Sequence, residues 1–247
     1  CHPGQFDDGL GGVLTAVRMY HELKKKKQNL TYKFLFLPET IGSVVHLLSL
    51  KKEELSNIVG GFFVEAPGKL QPLSIKKPHK MDTEFSKVVM NYFHEKIDAK
   101  NIREFRANVS NDEIVFGDPD FDIPIFSLQR WPYEEYHTER DNITNFNLEK
   151  FDETFNHLLR VVYRIDNNFT IKRMFRGPLY MYGQDLHTNY ADDKKKFFDD
   201  WEIMNASGDS LSINLISEKT NIPFEVVAQY YEEYEIKKLV SRNINDT

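Results

Sequence analysis

Apolar positions follow two different periods along the first forty residues. Residues 9–25 carry apolar side chains at helical spacing, and residues 31–37 form an aromatic, mostly apolar run that ends before a proline. Apolar residues three and four apart share one face of a helix, whereas a short continuous apolar run is typical of a buried strand. These residues therefore predict a helix with one buried stripe, followed by a central strand of a largely parallel sheet. The stripe consists of Leu10, Val13, Leu14, Val17 and Tyr20.

The same two patterns alternate through the middle of the chain. Helices are predicted at about 41–48 and 82–97, and a longer one runs across 151–162. Further strands are predicted at 58–64, 70–76 and 123–128. Strands that alternate with helices in this way are typical of α/β architecture.

The pattern changes near residue 190. Residues 173–190 show no clear period, and the segments that follow predict three short helices, at about 193–204, 210–219 and 223–236. Two short helices joined by a tight turn make a helix-turn-helix. We therefore predict a domain boundary within 187–192, which divides the chain into domains at 1–188 and 189–247.

Composition narrows the class of protein. The 247 residues are 40% hydrophobic and 13% aromatic, which supports a sizeable core. A formal net charge of −6 offers no general attraction for nucleic acid or for an anionic membrane surface. No apolar run approaches the roughly 18 residues that a membrane-spanning helix needs. A single cysteine excludes an internal disulfide framework and favours a reducing compartment, so we expect a cytoplasmic protein.

The first twelve residues hold candidate metal ligands. His2, Asp7 and Asp8 surround a Pro-Gly turn, and a glycine patch then leads into the first predicted helix. Zinc accepts histidine nitrogen and carboxylate oxygen, and a carboxylate can bridge two metal ions. On this stretch alone, the favoured interpretation is simpler: an aspartate that caps the helix beside a surface histidine.

The start of the chain is unusual for a metal loop. No methionine begins it, and a loop with a ligand at residue 2 would ordinarily follow a strand. We therefore expect that the chain is a fragment whose upstream elements are missing.

Two further candidates stand after predicted strands. Glu39 follows the strand at 31–37, and His137 lies in the loop after 123–128, with Asp141 four residues on. Ligands of open α/β sheets bind at the carboxyl ends of the strands. An aspartate at this spacing could orient the imidazole of a metal ligand.

Taken together, these motifs resemble the zinc aminopeptidase family, the relatives of bacterial leucyl aminopeptidase. That family has, in order, a histidine at a strand end, an aspartate with small residues that opens a helix, a strand that ends in glutamate before a Gly-Ser helix, and a Tyr-His-Thr-x-x-Asp loop. The corresponding stretches of this chain are His2, Asp8 to Gly12, Phe34 to Ser43 and Tyr136 to Asp141.

One subgroup of the family is similar in more detail. The matching stretches are Cys-His-Pro at 1–3, Pro-Glu-Thr-Ile-Gly-Ser at 38–43, Glu-Tyr-His-Thr at 135–138 and Asn-Asp-Glu at 111–113. The subgroup's members are aminopeptidase-like proteins with a C-terminal winged helix, and many are encoded among surface-polysaccharide or glycosylation genes. The likeness runs from residue 1 to about 242. It implies a three-layer sandwich around a mostly parallel, mixed sheet, followed by a small winged helix-turn-helix domain.

The resemblance also implies a site with one or two zinc ions. His2 and His137 look like terminal ligands, Asp8 looks like the bridging carboxylate, and Glu39 looks like the general base. Such a site would hydrolyse an amide or peptide-like bond of a small substrate, one that is sugar-linked if the protein acts in surface-glycan biosynthesis. The residues implied to support the ligands or to contact the substrate are Asp141, Tyr136, Arg130, Asp112 and Glu113.

Two departures from the family pattern leave an alternative open. The family has two consecutive glutamates, base then ligand, where this chain has Glu39 and Thr40, so Glu39 is either the base or a ligand. The family's further aspartate is absent after the next strand, where Glu65 is the candidate. The alternative is a catalytically altered, metal-binding relative that serves as a binding or scaffold protein in glycan biosynthesis.

A second alternative is that Cys1 acts as an N-terminal nucleophile with its own amine as base. Such nucleophiles stand at the start of a strand. Pro3 and Gly4 do not favour one, so this alternative is disfavoured.

A third alternative is that the helix-turn-helix binds DNA. Its second helix, at 223–236, carries four glutamates and no lysine or arginine, so it would repel phosphate. We expect this domain to meet a protein partner or a second copy of itself, and not nucleic acid or a membrane.

Overall fold

The computed structural model describes residues 4–108, 110–208 and 211–243. It divides the chain into two compact units, one that ends at Tyr163 and one that begins at Arg164. This division lies earlier than the boundary predicted at 187–192. The reason is that the strand at Thr170–Arg173 pairs within the sheet of the second unit, so the chain enters that unit before its short helices begin.

A mixed four-stranded sheet forms the centre of the first unit. Its strand order is β1-β4-β2-β3, in which β4 runs parallel to β1 and antiparallel to β2, and β2 runs parallel to β3. The strands predicted near 58–64, 70–76 and 123–128 are confirmed with shifted limits, whereas β3, at two residues, is too short to show a period. The strands are β1 (Gly61–Glu65), β2 (Ser74–Lys76), β3 (Ile102–Arg103) and β4 (Ile125–Gln129).

The helices predicted at 9–25, 41–48, 82–97 and 151–162 are confirmed with shifted limits, whereas the short helices Lys52–Ser56 and Glu113–Phe116 were not predicted. A π-helical turn at Phe6–Gly11 continues directly into α1. The hydroxyl of Thr83 accepts the N–H of Ser86 at 3.1 Å and caps the start of α4. The helices are α1 (Gly12–Leu23), α2 (Ile41–Ser49), α3 (Lys52–Ser56), α4 (Glu84–Lys96), α5 (Glu113–Phe116) and α6 (Leu148–Asp166).

Helices cover both faces of the sheet. Phe62 of β1 lies 5.9 Å, between ring centroids, from Phe85 of α4. Its neighbour Phe63 packs instead against the cluster that contains Ile125 of β4 and Leu47 of α2. Because successive side chains of a strand point to opposite faces, α4 and α2 lie on opposite sides. The sheet is therefore the middle of three layers, as the resemblance implies.

The apolar stripe predicted to be buried on α1 is exposed. Leu10 and Tyr20 are each 51% exposed, whereas the helix buries Thr15 and Met19 on a different face. The helical period was therefore correct and the buried face was wrong. Which face is buried depends on the elements that pack against the helix, and periodicity alone cannot identify them.

The strand predicted at 31–37 is not formed. Residues 31–38 belong to neither a helix nor a described sheet, and Leu35, Phe36 and Leu37 are exposed. A strand needs a neighbour that completes its ladder of hydrogen bonds. No strand among the described residues forms a ladder with this segment, so its apolar composition does not produce the predicted central strand.

The second unit combines an antiparallel sheet, of order β6-β5-β7, with short helices. The three helices predicted after residue 192 are confirmed, with limits that shift by a few residues. No helix in the described ranges of the chain is long and apolar enough to cross a membrane. The elements are β5 (Thr170–Arg173), α7 (Lys194–Ala206), β6 (Leu211–Ser212), α8 (Ile213–Thr220), α9 (Phe224–Ile236) and β7 (Val240–Asn243).

Local signals set the ends of these helices. The hydroxyl of Ser212 accepts the N–H of Leu215 at 3.2 Å and caps α8. Asn221 ends α8 in the left-handed conformation, at φ 55°, and Pro223 precedes α9. The tyrosines of α9 then pack inward, where Tyr231 lies in one cluster with residues of α7 and α8.

A buried ion pair joins β2 to α5 and provides a test of this packing. The ammonium of Lys76 lies 2.5 Å from Glu113, and both side chains are almost completely buried. We predict that Lys76→Met or Glu113→Gln alone lowers the free energy of unfolding by about 3–5 kcal/mol, because each change leaves a buried charge without its partner. Urea denaturation of the two single variants and of the double variant measures this.

The double variant is the control for that prediction. Removing both charges should cost clearly less than the sum of the two single changes. A double variant whose loss equals that sum would contradict the interpretation of Lys76 and Glu113 as a coupled buried pair.

His157 of α6 gives a pH test of the first unit. Burial lowers its pKa below the ordinary value of 6.5, and its Nδ1 lies 3.0 Å from the hydroxyl of Tyr92. The unfolded chain therefore takes up this proton at a higher pH than the folded chain. We predict that this contribution to stability is present above pH 6.5 and is lost as the pH falls below it.

The measurement compares Tm values at pH 7.5 and pH 5.5 for wild type and His157→Gln. The variant lacks the titrating group, so its Tm should fall less on acidification than that of wild type. An equal fall in both proteins would show that His157 does not contribute to the pH dependence.

Candidate functional site

Glycine at the start of α1 lets the π-helical turn at Phe6–Gly11 lie against the end of β1. A β-carbon on Gly12 would lie only 2.6 Å from the carbonyl oxygen of Val64, a backbone atom of β1. The glycine patch of the sequence thus has a packing reason. The close approach brings Asp8 into electrostatic contact with Glu65, the last residue of β1.

The carboxylate of Asp141 holds the same turn from the other side. Its two oxygens accept the N–H groups of Asp7 and Asp8 at 3.1 and 3.0 Å. The ammonium of Lys69 donates to the first of these oxygens at 2.8 Å, and Asp141 and Lys69 are both buried. Asp141 was expected to orient the imidazole of His137. In the structure its carboxylate binds the turn that carries Asp8.

Asp7 lies buried beneath this turn. Both of its carboxylate oxygens accept the N–H of Gly68, at 3.2 and 3.0 Å, so it does not serve as the exposed helix cap considered from the sequence. Burial raises its pKa to about 7, while the Gly68 hydrogen bond and the charge of Lys69 oppose the rise. Asp7 therefore ties the turn to the loop after β1.

Two of the predicted metal ligands meet at this turn. His137 Nε2 lies 3.6 Å from Asp8 Oδ2, although the two residues come from opposite ends of the first unit. The ring of Tyr136 stacks on the imidazole at 3.7 Å between centroids. His137 has a left-handed backbone, with φ 55°, a conformation that costs a non-glycine residue about 1–3 kcal/mol and persists where its surroundings enforce it.

Glu65 lies among the other acidic side chains of this edge. It is buried at the carboxyl end of β1. Burial raises its pKa to about 8, and the charges of Asp8, Glu113 and Glu39 add to this, against only partial compensation by Lys76. Four acidic groups from separate stretches of the chain therefore lie within electrostatic reach of one another at one edge of the sheet.

Asp112 positions the turn that carries Glu39. Its carboxylate accepts the N–H of Thr40 at 3.0 Å and the hydroxyl of Ser43 in the first turn of α2. Thr40 itself has φ 59° and ψ −61°, a strained backbone that these contacts help to hold. Asp112 thus holds the turn that carries Glu39. The next residue, Glu113, forms an ion pair with Lys76.

Arg130 has a structural position. Its guanidinium is fully buried and donates to the carbonyl oxygens of Pro67, Gln71 and Lys150 at 3.0, 2.7 and 3.0 Å. Arg130 therefore joins three segments of the chain by hydrogen bonds. The resemblance implied that it would contact the substrate or support a ligand.

The donor types of the site fit zinc, but the described residues do not complete a coordination shell. A histidine nitrogen and a carboxylate oxygen lie close together at His137 and Asp8, and the acidic groups around Glu65 exceed the positive charge beside them. His2, the third predicted ligand, lies outside the described residues, as does Cys1. Within the described ranges, no three His, Cys, Asp or Glu side chains are grouped as a metal site.

Two residues near the site were not predicted from the sequence. Lys69 occupies a loop, where a lysine is ordinarily exposed, yet it is buried against Asp141. Tyr133 is one of several aromatic residues in the loop after β4, yet it alone of the loop's tyrosines is buried. Only its position after a strand at the ligand-binding edge could have suggested it.

Comparison with known proteins agrees with this architecture. Residues 1–168 match the family described as "Domain of unknown function (DUF4910)". A Clostridium acetobutylicum protein, named for polysaccharide biosynthesis with an aminopeptidase-like domain, is 31% identical over 172 residues. The match covers 69% of this chain and 39% of that protein, so the chain spans about two fifths of the length of this curated relative.

Solved structures show the same fold. The crystal structure of a Clostridium acetobutylicum protein that is named for a peptidase superimposes with a TM-score of 0.81 at 26% identity, over 98% of this chain and 56% of that one. A zinc aminopeptidase from Bacillus subtilis superimposes with a TM-score of 0.52 at 16% identity, over 64% of this chain and 41% of that one, and shows the fold alone. The chain therefore belongs to the DUF4910 family and has an aminopeptidase-like α/β fold.

Proposed function

We propose that this chain is a metal-dependent, aminopeptidase-like hydrolase domain that cleaves an amide or peptide-like bond in surface-glycan biosynthesis. The observation that carries the proposal is the meeting of Asp8, Glu39, Glu65 and His137 at one edge of the sheet. The name of the Clostridium relative supports the biosynthetic setting, and the fold of the Bacillus aminopeptidase supports the class of reaction.

The ligands that we propose for zinc are Asp8 and His137, together with His2. Glu65 is a further ligand if two ions are bound. When bound, zinc would supply a Lewis acid and lower the pKa of a coordinated water toward about 7. Asp141 contributes by fixing the backbone of the turn that presents Asp8, since its carboxylate accepts two N–H groups there.

We assign the proton transfer to Glu39. Its carboxylate would take a proton from the attacking water and return it to the leaving amine, as a general base and then a general acid. Asp112 holds the turn of Glu39 through Thr40 and Ser43, so it positions the base without touching the substrate. Tyr136, stacked on His137, would line the substrate side of the site.

The second candidate is a metal-binding relative that no longer hydrolyses its ligand and serves as a binding or scaffold protein. The observation that favours it is Thr40, which replaces the second glutamate of the resembled family. Threonine is a poor zinc ligand, so Glu39 would have to become a ligand and would no longer be available as the base.

We further propose that the second unit is a winged helix that contacts a protein partner or a second copy, and that the protein acts in the cytoplasm without nucleic acid. Strand β6, helices α8 and α9, and strand β7 follow one another in the order of that motif. Helix α9 buries Tyr230, Tyr231 and Tyr234 within the unit. It also carries four glutamates, whose negative charge would repel the phosphates of DNA.

Zinc uptake tests the metal site. We predict that His137→Ala and Asp8→Asn weaken zinc binding at least about 10-fold, because each removes a ligand or its charge. His94→Ala is the matched control, since His94 is an exposed histidine on α4. Zinc content after dialysis is measured by mass spectrometry, and full retention by the His137 and Asp8 variants would contradict the proposal.

Turnover separates the two candidate functions. We predict that the Glu39→Gln variant keeps its zinc but hydrolyses leucine p-nitroanilide about 10²–10⁴-fold more slowly than wild type, because the glutamine amide cannot accept a proton. Zinc binding by wild type without any hydrolysis of a panel of aminoacyl anilides and amino sugars would instead support the binding or scaffold function.

DNA binding tests the second unit. We predict no change in the fluorescence anisotropy of a labelled random duplex at 50 or 200 mM salt, because the acidic helix α9 cannot neutralise phosphates. A shift that weakens as the salt rises would contradict this prediction.

A further inference from the structure

A groove of about 300 Å³ lies between helices α7 and α9 of the second unit, and we call it the α7–α9 groove. This volume is at the lower end of the range for small-molecule sites, and several of the side chains around it are exposed to solvent. The groove therefore has room for one or two side chains of a partner. Its lining includes Asp193, Asp199 and Asp200 from α7 and its cap, and Val226, Tyr230 and Glu233 from α9.

The apolar part of this lining comes from α9. Val226 and Tyr230 are four residues apart, so they lie on the same face of the helix. Val226 is 40% exposed, whereas Tyr230 is buried and its ring stacks on that of Tyr234 at 4.1 Å between centroids. The groove thus offers a fixed apolar surface on which the methylene stem of a long side chain can pack.

The polar part of the lining is negatively charged. Four carboxylates and two ammoniums line the groove, which leaves two negative charges. Both lysines already form ion pairs with Asp199 and Asp200, each one turn later on α7. The other two carboxylates are those of Asp193, which caps α7, and Glu233 of α9. Neither of them forms an ion pair with another residue in the described ranges.

This combination selects the chemistry of an occupant. Carboxylates without a cation beside an apolar surface favour a positively charged group on an aliphatic stem. Lysine and arginine side chains have this form, and a guanidinium can also stack on an aromatic ring. The charge of the groove is thus complementary to a basic segment and repels phosphate.

The surface beside the groove favours a polypeptide over a free cation. Phe198 stands three residues after Lys195 on α7, so the two side chains are neighbours on the helix surface. Phe198 and Trp201 are 50% and 43% exposed, and they are also three residues apart. Large aromatic side chains are enriched in protein interfaces. The contact surface therefore extends farther than a single small cation could cover.

We infer that the α7–α9 groove docks a basic segment of a partner protein. The stem of a lysine or arginine of that segment lies along Val226 and Tyr230, and its cationic groups pair with Asp193 and Glu233. This assignment rests on the proposed contact between the second unit and a protein partner, and it names the surface and the chemistry of that contact. It needs neither zinc nor hydrolysis.

Peptide binding by the full chain tests the groove and is measured by fluorescence anisotropy. The probe is fluorescein-labelled Leu-Arg-Ala-Leu-Arg-Ala, and the neutral control peptide has glutamine in place of each arginine. Wild type should bind the probe about 5- to 10-fold more tightly than the neutral peptide, because the glutamines cannot form the two ion pairs.

A double variant locates the binding site of the probe. Asp193→Asn with Glu233→Gln removes the two carboxylates that have no cation and keeps the shape of the groove, and asparagine caps a helix about as well as aspartate. This variant should bind the probe about 5- to 10-fold more weakly than wild type and bind the neutral peptide equally well.

The matched control is Glu202→Gln with Glu232→Gln. It removes the same charge from the same two helices, at positions that do not line the groove. At about 0.15 M salt, exposed charges farther away than about 8 Å are largely screened, so the control should change the affinity for the probe by less than about 2-fold.

Three results would overturn the inference. The first is a wild type that does not bind the probe or does not prefer it to the neutral peptide. The second is an equal effect of the two double variants, which would show attraction by overall charge. The third is self-association of wild type, seen by light scattering, that the groove variant abolishes, since a second copy would then fill the groove.

The outcomes also separate this inference from the proposed function. If zinc uptake or hydrolysis fails while the peptide results are as expected, the hydrolase function is lost and the groove stands. If the probe binds and neither double variant weakens its binding, the second unit still contacts a partner, but the α7–α9 groove is not where it does so.

Discussion

The acidic edge of this protein depends on the hydrogen bonds that converge on Asp141. Its buried carboxylate accepts the N–H groups of Asp7 and Asp8 and the ammonium of Lys69. Charge-assisted hydrogen bonds of this kind are stronger than neutral ones, and in a buried location they are costly to break. They join a turn near the start of the chain to a loop more than a hundred residues later, and so bring Asp8 to His137.

Around this junction the protein accepts unfavourable electrostatics. Glu65 is buried among other carboxylates, and burial also raises the pKa of Asp7. His137 and Thr40 both have positive φ angles. Acidic groups that raise one another's pKa, together with strained backbone at the same place, are typical of a site kept for binding or catalysis at the expense of stability. The ion pair of Lys76 with Glu113 relieves only part of that charge.

Short-range patterns were sufficient to predict most helices of the described chain, but only the strands β1, β2 and β4. The helices at 82–97 and 223–236 were predicted because helical periodicity is a local property, and the structure has both. The strand at 31–37 and the buried stripe that includes Leu10 were wrong, because burial and strand pairing depend on which other segments pack nearby. The division at Tyr163 depends on the partners of β5, which no local pattern identifies.

The sequence by itself determined the candidate ligands and base, because Asp8, Glu39 and His137 stand in short motifs that resemble those of the zinc aminopeptidase family. Their roles in metal binding and hydrolysis stay predictions. Only the tertiary structure decided that Lys69 is buried and that the Tyr133 hydroxyl is bonded to no residue in the described ranges. Burial and satisfied hydrogen bonds are produced by contacts between residues far apart in the chain, and no local pattern encodes them.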